Sequence, residues 1–301
     1  MTANPEIFDR ALLTKRLQRA APKAHAHDFL LHRVADDFAE RLSVVQRKFP
    51  FALNLGAYHG VVSRELAKAE TVGEIIDFEH AEALLRACPG PRIRGDMELL
   101  PFSGGTLDLV VSGLALQLVN DLPGVLIQIV RALKPDGLFL GAMLGGATLH
   151  ELRTAWAIAE EEVLGGASPR VVPFADLRDL GSLLQRAGFA LPVVDGDVVH
   201  VRYSSSLALM REIKAMGASN MMLARHRKPV TKTLLARAAQ VYDEQFGEPD
   251  GRVTATFEIL YVTAWAPHES QQKPLQPGSA KMRLAEALGV EEKPAGEKAG
   301  R

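Results

Sequence analysis

Between Phe51 and Met143 the chain switches repeatedly between two residue periods, and that alternation limits its fold more than any single position does. Phe51–Leu55, Glu74–Phe78, Pro91–Arg94, Thr106–Ser112 and Leu138–Met143 read as short strands, with Phe51–Leu55, Thr106–Ser112 and Leu138–Met143 the most apolar. Val61–Lys68, Ala81–Ala87 and Asp121–Leu133 between them repeat their apolar residues at helical spacing. Strands separated by helices are joined by crossovers, which predicts a parallel sheet with helices on both faces. Lys134-Pro135-Asp136-Gly137 reads as a turn before the last of these strands.

The flanks follow a different rhythm. Residues 7–48 read as helical, divided into two helices by Pro22. After Gly145-Gly146, helices are expected over Leu149–Val163, Leu177–Ala187, Leu207–Met216 and Thr231–Phe246, and strands over Pro192–Tyr203 and Val253–Ala264. The plan is therefore α/β, a Rossmann-like seven-stranded sheet. Residues 1–48 form an N-terminal helical segment, 49–146 a cofactor-binding core, 147–266 the rest of the sheet with a helical cap, and 267–301 a largely disordered tail. An apolar content of 47% supplies a sizeable core.

Several function classes are excluded early. A net charge of −1 gives no global field toward nucleic acid or an anionic membrane. The single cysteine, Cys88, rules out an internal disulfide and a cysteine-rich zinc site, and no other metal site is expected. The longest apolar run, Leu107 to Val119, is broken by Asp108, Ser112, Gly113 and Gln117, so no transmembrane segment is expected. Arg10 to Lys23 is basic and lacks acids, which reads as a surface helix rather than a transit peptide.

The chemistry is expected at the carboxyl ends of the first strands, where doubly wound sheets hold ligands. Gly56-Ala57-Tyr58-His59-Gly60 follows the first strand and opens a helix, so its backbone and the helix N-terminus can approach a ligand carboxylate. Glu79 ends the second strand, where an acid can accept both hydroxyls of a ribose. Asp96 and Met97 follow the third strand and suit an adenine amino group and ring face. Leu114 lies in the loop after the fourth strand and completes the expected cofactor-binding set of Gly56, Ala57, Tyr58, Gly60, Glu79, Asp96, Met97 and Leu114. Each feature has an ordinary structural explanation by itself. Their order along one sheet is what points to a nucleotide-type cofactor.

This ordered set resembles the S-adenosylmethionine-dependent methyltransferases, and most closely the complex I assembly factor 5 family. The resemblance is carried by Ile7-Phe8-Asp9-Arg10, Leu100-Pro101-Phe102, Val119-Asn120-Asp121-Leu122-Pro123, Gly145-Gly146, Glu151-Leu152-Arg153, Ala187-Gly188-Phe189, Ser219-Asn220 and Ala255-Thr256. It implies S-adenosyl-L-methionine as cofactor, a role in respiratory complex I assembly, and modification of an arginine on a complex I subunit by hydroxylation or methylation. It also implies Asp9, Arg10, Tyr203 and Asn220 as substrate-side, candidate catalytic residues. A family start at Ile7 leads to the expectation of a bacterial, cytoplasmic member. Two alternatives stay open. One is an O-methyltransferase acting on a small molecule or on malonyl carrier protein, with Arg153 and Arg202 as a carboxylate pocket. The other is a catalytically idle assembly chaperone. Most of these methyltransferases carry Asp-x-Gly-x-Gly-x-Gly in the first loop. Here Asn54 replaces the acid and Tyr58 the middle glycine, and Gln117-Leu118 stands where the family often has His-Trp.

Overall fold

A computed structural model describes residues 6–272 together with 282, 286 and 288–290. Two helices come first, α1 (Arg10–Ala20) and α2 (Phe29–Ser43), separated by a 3-10 turn that contains Pro22. Then follow β1 (Phe49–Leu55), α3 (Val61–Leu66), β2 (Val72–Glu79), α4 (Glu82–Leu85), β3 (Arg92–Arg94), β4 (Leu107–Gly113), α5 (Leu122–Ala132) and β5 (Leu133–Leu144). The second half adds α6 (His150–Leu164), α7 (Leu177–Ala187), β6 (Ala190–Tyr203), α8 (Ser206–Ala215), α9 (Lys232–Phe246) and β7 (Val253–Trp265).

The seven strands form one sheet in the order β3-β2-β1-β4-β5-β7-β6. β1 to β5 are parallel, and β7 runs antiparallel between β5 and β6. The parallel expectation therefore applies to the first half only. The chain steps outward from β1 through β2 to β3, then returns to place β4 on the other side of β1. That reversal opens a crevice at the carboxyl ends of β1 and β4.

The Lys134–Gly137 turn occurs inside β5 rather than before it. Leu107 faces Leu133 and Leu109 faces Leu138, so residues 134–137 loop out of the ladder, with Asp136 at φ 63°. Apolar residues cover both faces of the sheet. Phe38, Leu66, Trp156 and Tyr242 belong to one layer, with α2, α3, α6 and α9, and Leu126, Phe139, Leu184 and Phe189 to the other, with α5 and α7. A smaller cluster of Phe8, Leu13, Leu17, Leu84, Met221 and Met222 joins the N-terminal segment to α4 and the loop after α8.

Met1–Pro267 forms one compact unit and His268–Arg301 a second. The tail expected to be disordered falls mostly outside the described residues. Among the described residues no helix is long and apolar enough to cross a membrane.

Candidate functional site

The end of β1 turns sharply at Gly56, where φ is +70°. A Cβ there would collide with the Ala115 Cβ and lie 2.9 Å from Met97 Sδ. Glycine thus brings the loops after β1, β3 and β4 together. The amides of Gly56 and Ala57 donate to the Phe78 carbonyl at 2.9 and 3.0 Å, tying the turn to β2. Tyr58 adopts φ 54°, a strained conformation for an aromatic residue, and two hydrogen bonds hold it there. Its amide donates to Glu79 Oε2 at 3.0 Å, and its hydroxyl donates to the Met216 carbonyl at 2.7 Å. Burial, then the nearby Glu79 charge, pushes the phenol above its ordinary pKa, so it stays a neutral donor.

Glu79 is buried and turned inward. Its Oε1 accepts from the Ala81 amide at 2.9 Å. The side chain of Tyr58 crosses from the turn to the end of α8 and leaves the space beside it open. The resulting cavity has a volume of about 590 Å³. Gly56, Tyr58, Glu79, Met97, Leu114 and Ala115 make its floor. Its roof comes from two segments distant in sequence: Leu13, Arg16 and Leu17 of α1, and Met216 to Met221 after α8. Leu152, Trp156 and Phe257 supply an apolar side wall.

Polar residues also line this space, His27, Arg170 and Lys214 among them. Arg16 donates to the Asn220 carbonyl and forms no ion pair among the described residues. Burial and the neighbouring Arg225 lower its pKa from the usual arginine value. Asp28 accepts from His59 Nε2 at 2.9 Å. Burial lowers the His59 pKa, against the opposing pull of Asp28. Gln117 Nε2 donates to the Leu114 carbonyl at 2.6 Å, while its buried Oε1 has no partner. His80 Nδ1 lies 2.9 Å from Glu79 Oε1 but off the hydrogen-bond direction, and its Nε2 has no partner either.

Asn54 sits behind the floor in a buried polar network. Its amide donates to Ser63 Oγ at 2.8 Å and to Asp77 Oδ1 at 3.0 Å, and Ser63 also donates to Asp77. Asp77 is fully buried, and desolvation raises its pKa. The acid usual in the first loop is thus missing at Asn54, while a carboxylate faces it from β2. Two acids at this distance would repel inside the core.

The residues expected at the site divide into two groups. Gly56, Tyr58, Glu79, Met97, Leu114 and Asn220 border the cavity; Ala57, Gly60, Asp96, Asp9, Arg10 and Tyr203 do not. Asp9 caps α1 by accepting from the Leu12 amide at 3.0 Å and pairs with Arg225 at 3.1 Å. Arg10 pairs with Asp96 at 2.7 Å and with Glu98. Tyr203 lies in the layer of the α6 and α9 helices, its buried hydroxyl without a partner. Asn220 borders the cavity, but its side chain donates to the Pro169 carbonyl at 2.7 Å and accepts from the Met222 amide at 3.0 Å, which holds its own loop. The Arg153 guanidinium lies against the carbonyls of Gly146 and Thr148, and Arg202 pairs with Glu248 and Asp250, so neither faces the cavity.

Sequence reasoning missed Arg16, Asp28 and His80 as cavity residues. Arg16 carried one usable signal, a cation on the apolar side of an acid-free helix. Asp28 sits among scattered histidines and offered none.

A family model described as a methyltransferase domain matches residues 53–141. The chain is 43% identical over 287 residues to arginine-hydroxylase NDUFAF5, mitochondrial, from Mus musculus, covering 93% of this chain and 83% of that protein. It is 35% identical over 285 residues to malonyl-[acyl-carrier protein] O-methyltransferase from Halorhodospira halophila, covering 92% and 95%. Among solved structures, the YcgJ protein of Bacillus subtilis superposes with a TM-score of 0.55 at 13% identity, over 79% of this chain and 99% of that one. That last likeness concerns the fold alone.

Proposed function

As this chain belongs to the arginine-hydroxylase NDUFAF5 family, built on a methyltransferase domain, we propose that it binds S-adenosyl-L-methionine and modifies an arginine on a subunit of respiratory complex I during assembly. The setting in which it acts is the bacterial cytoplasm. The residues present fit this cofactor. The Gly56 turn leaves the close approach that a Cβ would fill, Glu79 turns its carboxylate inward for a ribose, and Met97 offers a face to an adenine. Arg16 lacks an acidic partner and suits the cofactor's own carboxylate. When bound, S-adenosylmethionine supplies a methyl group on a good leaving sulfur.

The observation that carries the arginine assignment is the set of acceptors in the cavity lining. A guanidinium is donor-only, with five N–H groups and no acceptor. Asp28, whose Oδ2 accepts from His59, and Gln117, whose buried Oε1 has no partner among the described residues, belong to the cavity lining, and apolar walls beside them limit water. The chain's part is to orient the guanidinium and to keep solvent away. The same acceptors serve hydroxylation or methylation, because both begin by fixing the guanidinium. An ester-forming reaction would need a cation for the acceptor carboxylate; Arg153 and Arg202 are spent elsewhere, which leaves Lys214 on the cavity wall for that alternative.

Two measurements test the reading. Calorimetric titration with S-adenosylmethionine should give saturable binding that Glu79→Ala weakens about 10-fold or more. Mass spectrometry of complex I arginines should show one modified site that vanishes on deletion of the gene. Unmodified arginines in the wild type, together with biotin auxotrophy of the deletion strain, would refute it.

A further inference from the structure

Residues 10–27 and 213–242 together contain eleven lysines and arginines and no aspartate or glutamate, although the whole chain has 35 basic against 36 acidic residues. The two stretches are distant in sequence, and the fold brings them together. The Asp9 amide donates to the Met221 carbonyl at 2.8 Å, and the Leu223 amide donates to the Ile7 carbonyl at 2.9 Å. Arg16 reaches Asn220, and Arg225 reaches Asp9. The result is a basic collar that includes the roof of the cavity, with Arg16 and Lys214 on the cavity wall.

Most of the collar's charge is unspent. Arg10, Arg225 and Arg237 pair with acids. Lys15, Arg19, Lys23, Arg227 and Lys228 are exposed and form no ion pair among the described residues. Arg227 is also among the charges that lower the Asp9 pKa. The cavity lining itself adds carboxylates, Asp28 and Glu79, which the collar lacks. A ligand that fits both zones carries a cation at its tip and anions around it.

Resting on the arginine-modifying reading above, we propose that the collar docks an acidic stretch of the protein substrate flanking the arginine that enters the cavity. The collar's own residues favour a protein over other polyanions. Single-stranded nucleic-acid sites interleave cations with aromatic rings, and the one Phe, Tyr or Trp in 10–27 and 213–242, Tyr242, is fully buried. A helix lying on a membrane presents an exposed apolar face, whereas Leu13, Leu17 and Ala20 of α1 are buried. An acidic peptide needs neither, and complementary charge sets its encounter rate and register.

The test uses the full chain with S-adenosylhomocysteine present, and fluorescence anisotropy of labelled peptides. One peptide has a central arginine flanked by Asp and Glu, and its sister has Asn and Gln in their place. The acidic peptide should bind about 10-fold more tightly or better at low salt, with the advantage shrinking as salt rises. The variant K15E/R19E/K228E should lose that advantage while keeping its unfolding temperature and its affinity for S-adenosylmethionine. Equal binding of the two peptides, or an unchanged preference in the variant, would overturn the proposal. So would tighter binding of a single-stranded oligonucleotide or of phosphatidylglycerol vesicles than of the acidic peptide. A third peptide keeps the acidic flanks and replaces arginine with norleucine. If it binds as tightly as the first, the collar stands and the arginine assignment falls.

Discussion

At the scale of single residues, the departures from the usual loop are compensated locally. Asn54 faces the buried Asp77 across a 3.0 Å hydrogen bond, so the pair holds one negative charge where two would clash. Asn54→Asp should destabilise the protein by ~3 kcal/mol, and adding Asp77→Asn should recover most of that loss. A double-mutant cycle by urea unfolding measures the coupling, and additive effects would remove the explanation. Gly56→Ala forces a side chain into φ +70° and against Ala115. It should lower S-adenosylmethionine affinity roughly 10-fold, beyond ~1–2 kcal/mol of backbone strain. His59 supplies a pH signature. Burial lowers its folded pKa, so its contribution to stability is complete above the ordinary histidine value. That contribution is lost as the pH falls through the lowered value. Unfolding temperature should therefore drop below about pH 6 in the wild type, and less so in His59→Gln.

Among the elements, the N-terminal helix is latched rather than simply packed. Asp9 caps α1 and holds Arg225, while the Asn120 side chain accepts from the amides of Ile7 and Phe8, both at 2.8 Å. The Leu12 amide is the largest cause of the lowered Asp9 pKa, so this contribution is present above the ordinary aspartate range and fades as the pH falls through the lowered value. Asp9→Asn should raise amide exchange in α1 and in residues 221–225 together at neutral pH, where a mere surface pair would change neither. Tyr58→Phe should loosen residues 216–222 in the same measurement, because the bond to the Met216 carbonyl is worth ~1 kcal/mol. The elements themselves are largely legible in the sequence. Runs such as Thr106–Ser112 and the helical spacing of Asp121–Leu133 sit within a residue or so of β4 and α5. Their neighbours are less so. Nothing in Pro192–Tyr203 announces an edge strand, because a central antiparallel strand has the same β-forming composition. At the site, Gly56 and Glu79 are readable from strand ends. Asp28 and the acceptor role of Gln117 are not, because their meaning comes from partners distant in sequence, or from the lack of one.

For the whole molecule, the cavity is a joint product of distant chain segments. Its floor comes from residues 56–118, whereas its roof comes from α1 and the stretch after α8. The ligand therefore touches both halves at once, and its binding free energy should add to the stability of the entire unit. S-adenosylmethionine at about 100 times its dissociation constant should contribute ~2.7 kcal/mol and raise the unfolding temperature as one cooperative transition. Two transitions, with only one responding to ligand, would show that roof and floor fold separately. There is also an order in time. A nascent chain that has cleared the ribosome only as far as β5 owns the glycine turn, Glu79 and the α1 part of the roof, yet lacks the stretch after α8 that completes it. A complete cofactor cavity thus waits for the synthesis of residues 216–221.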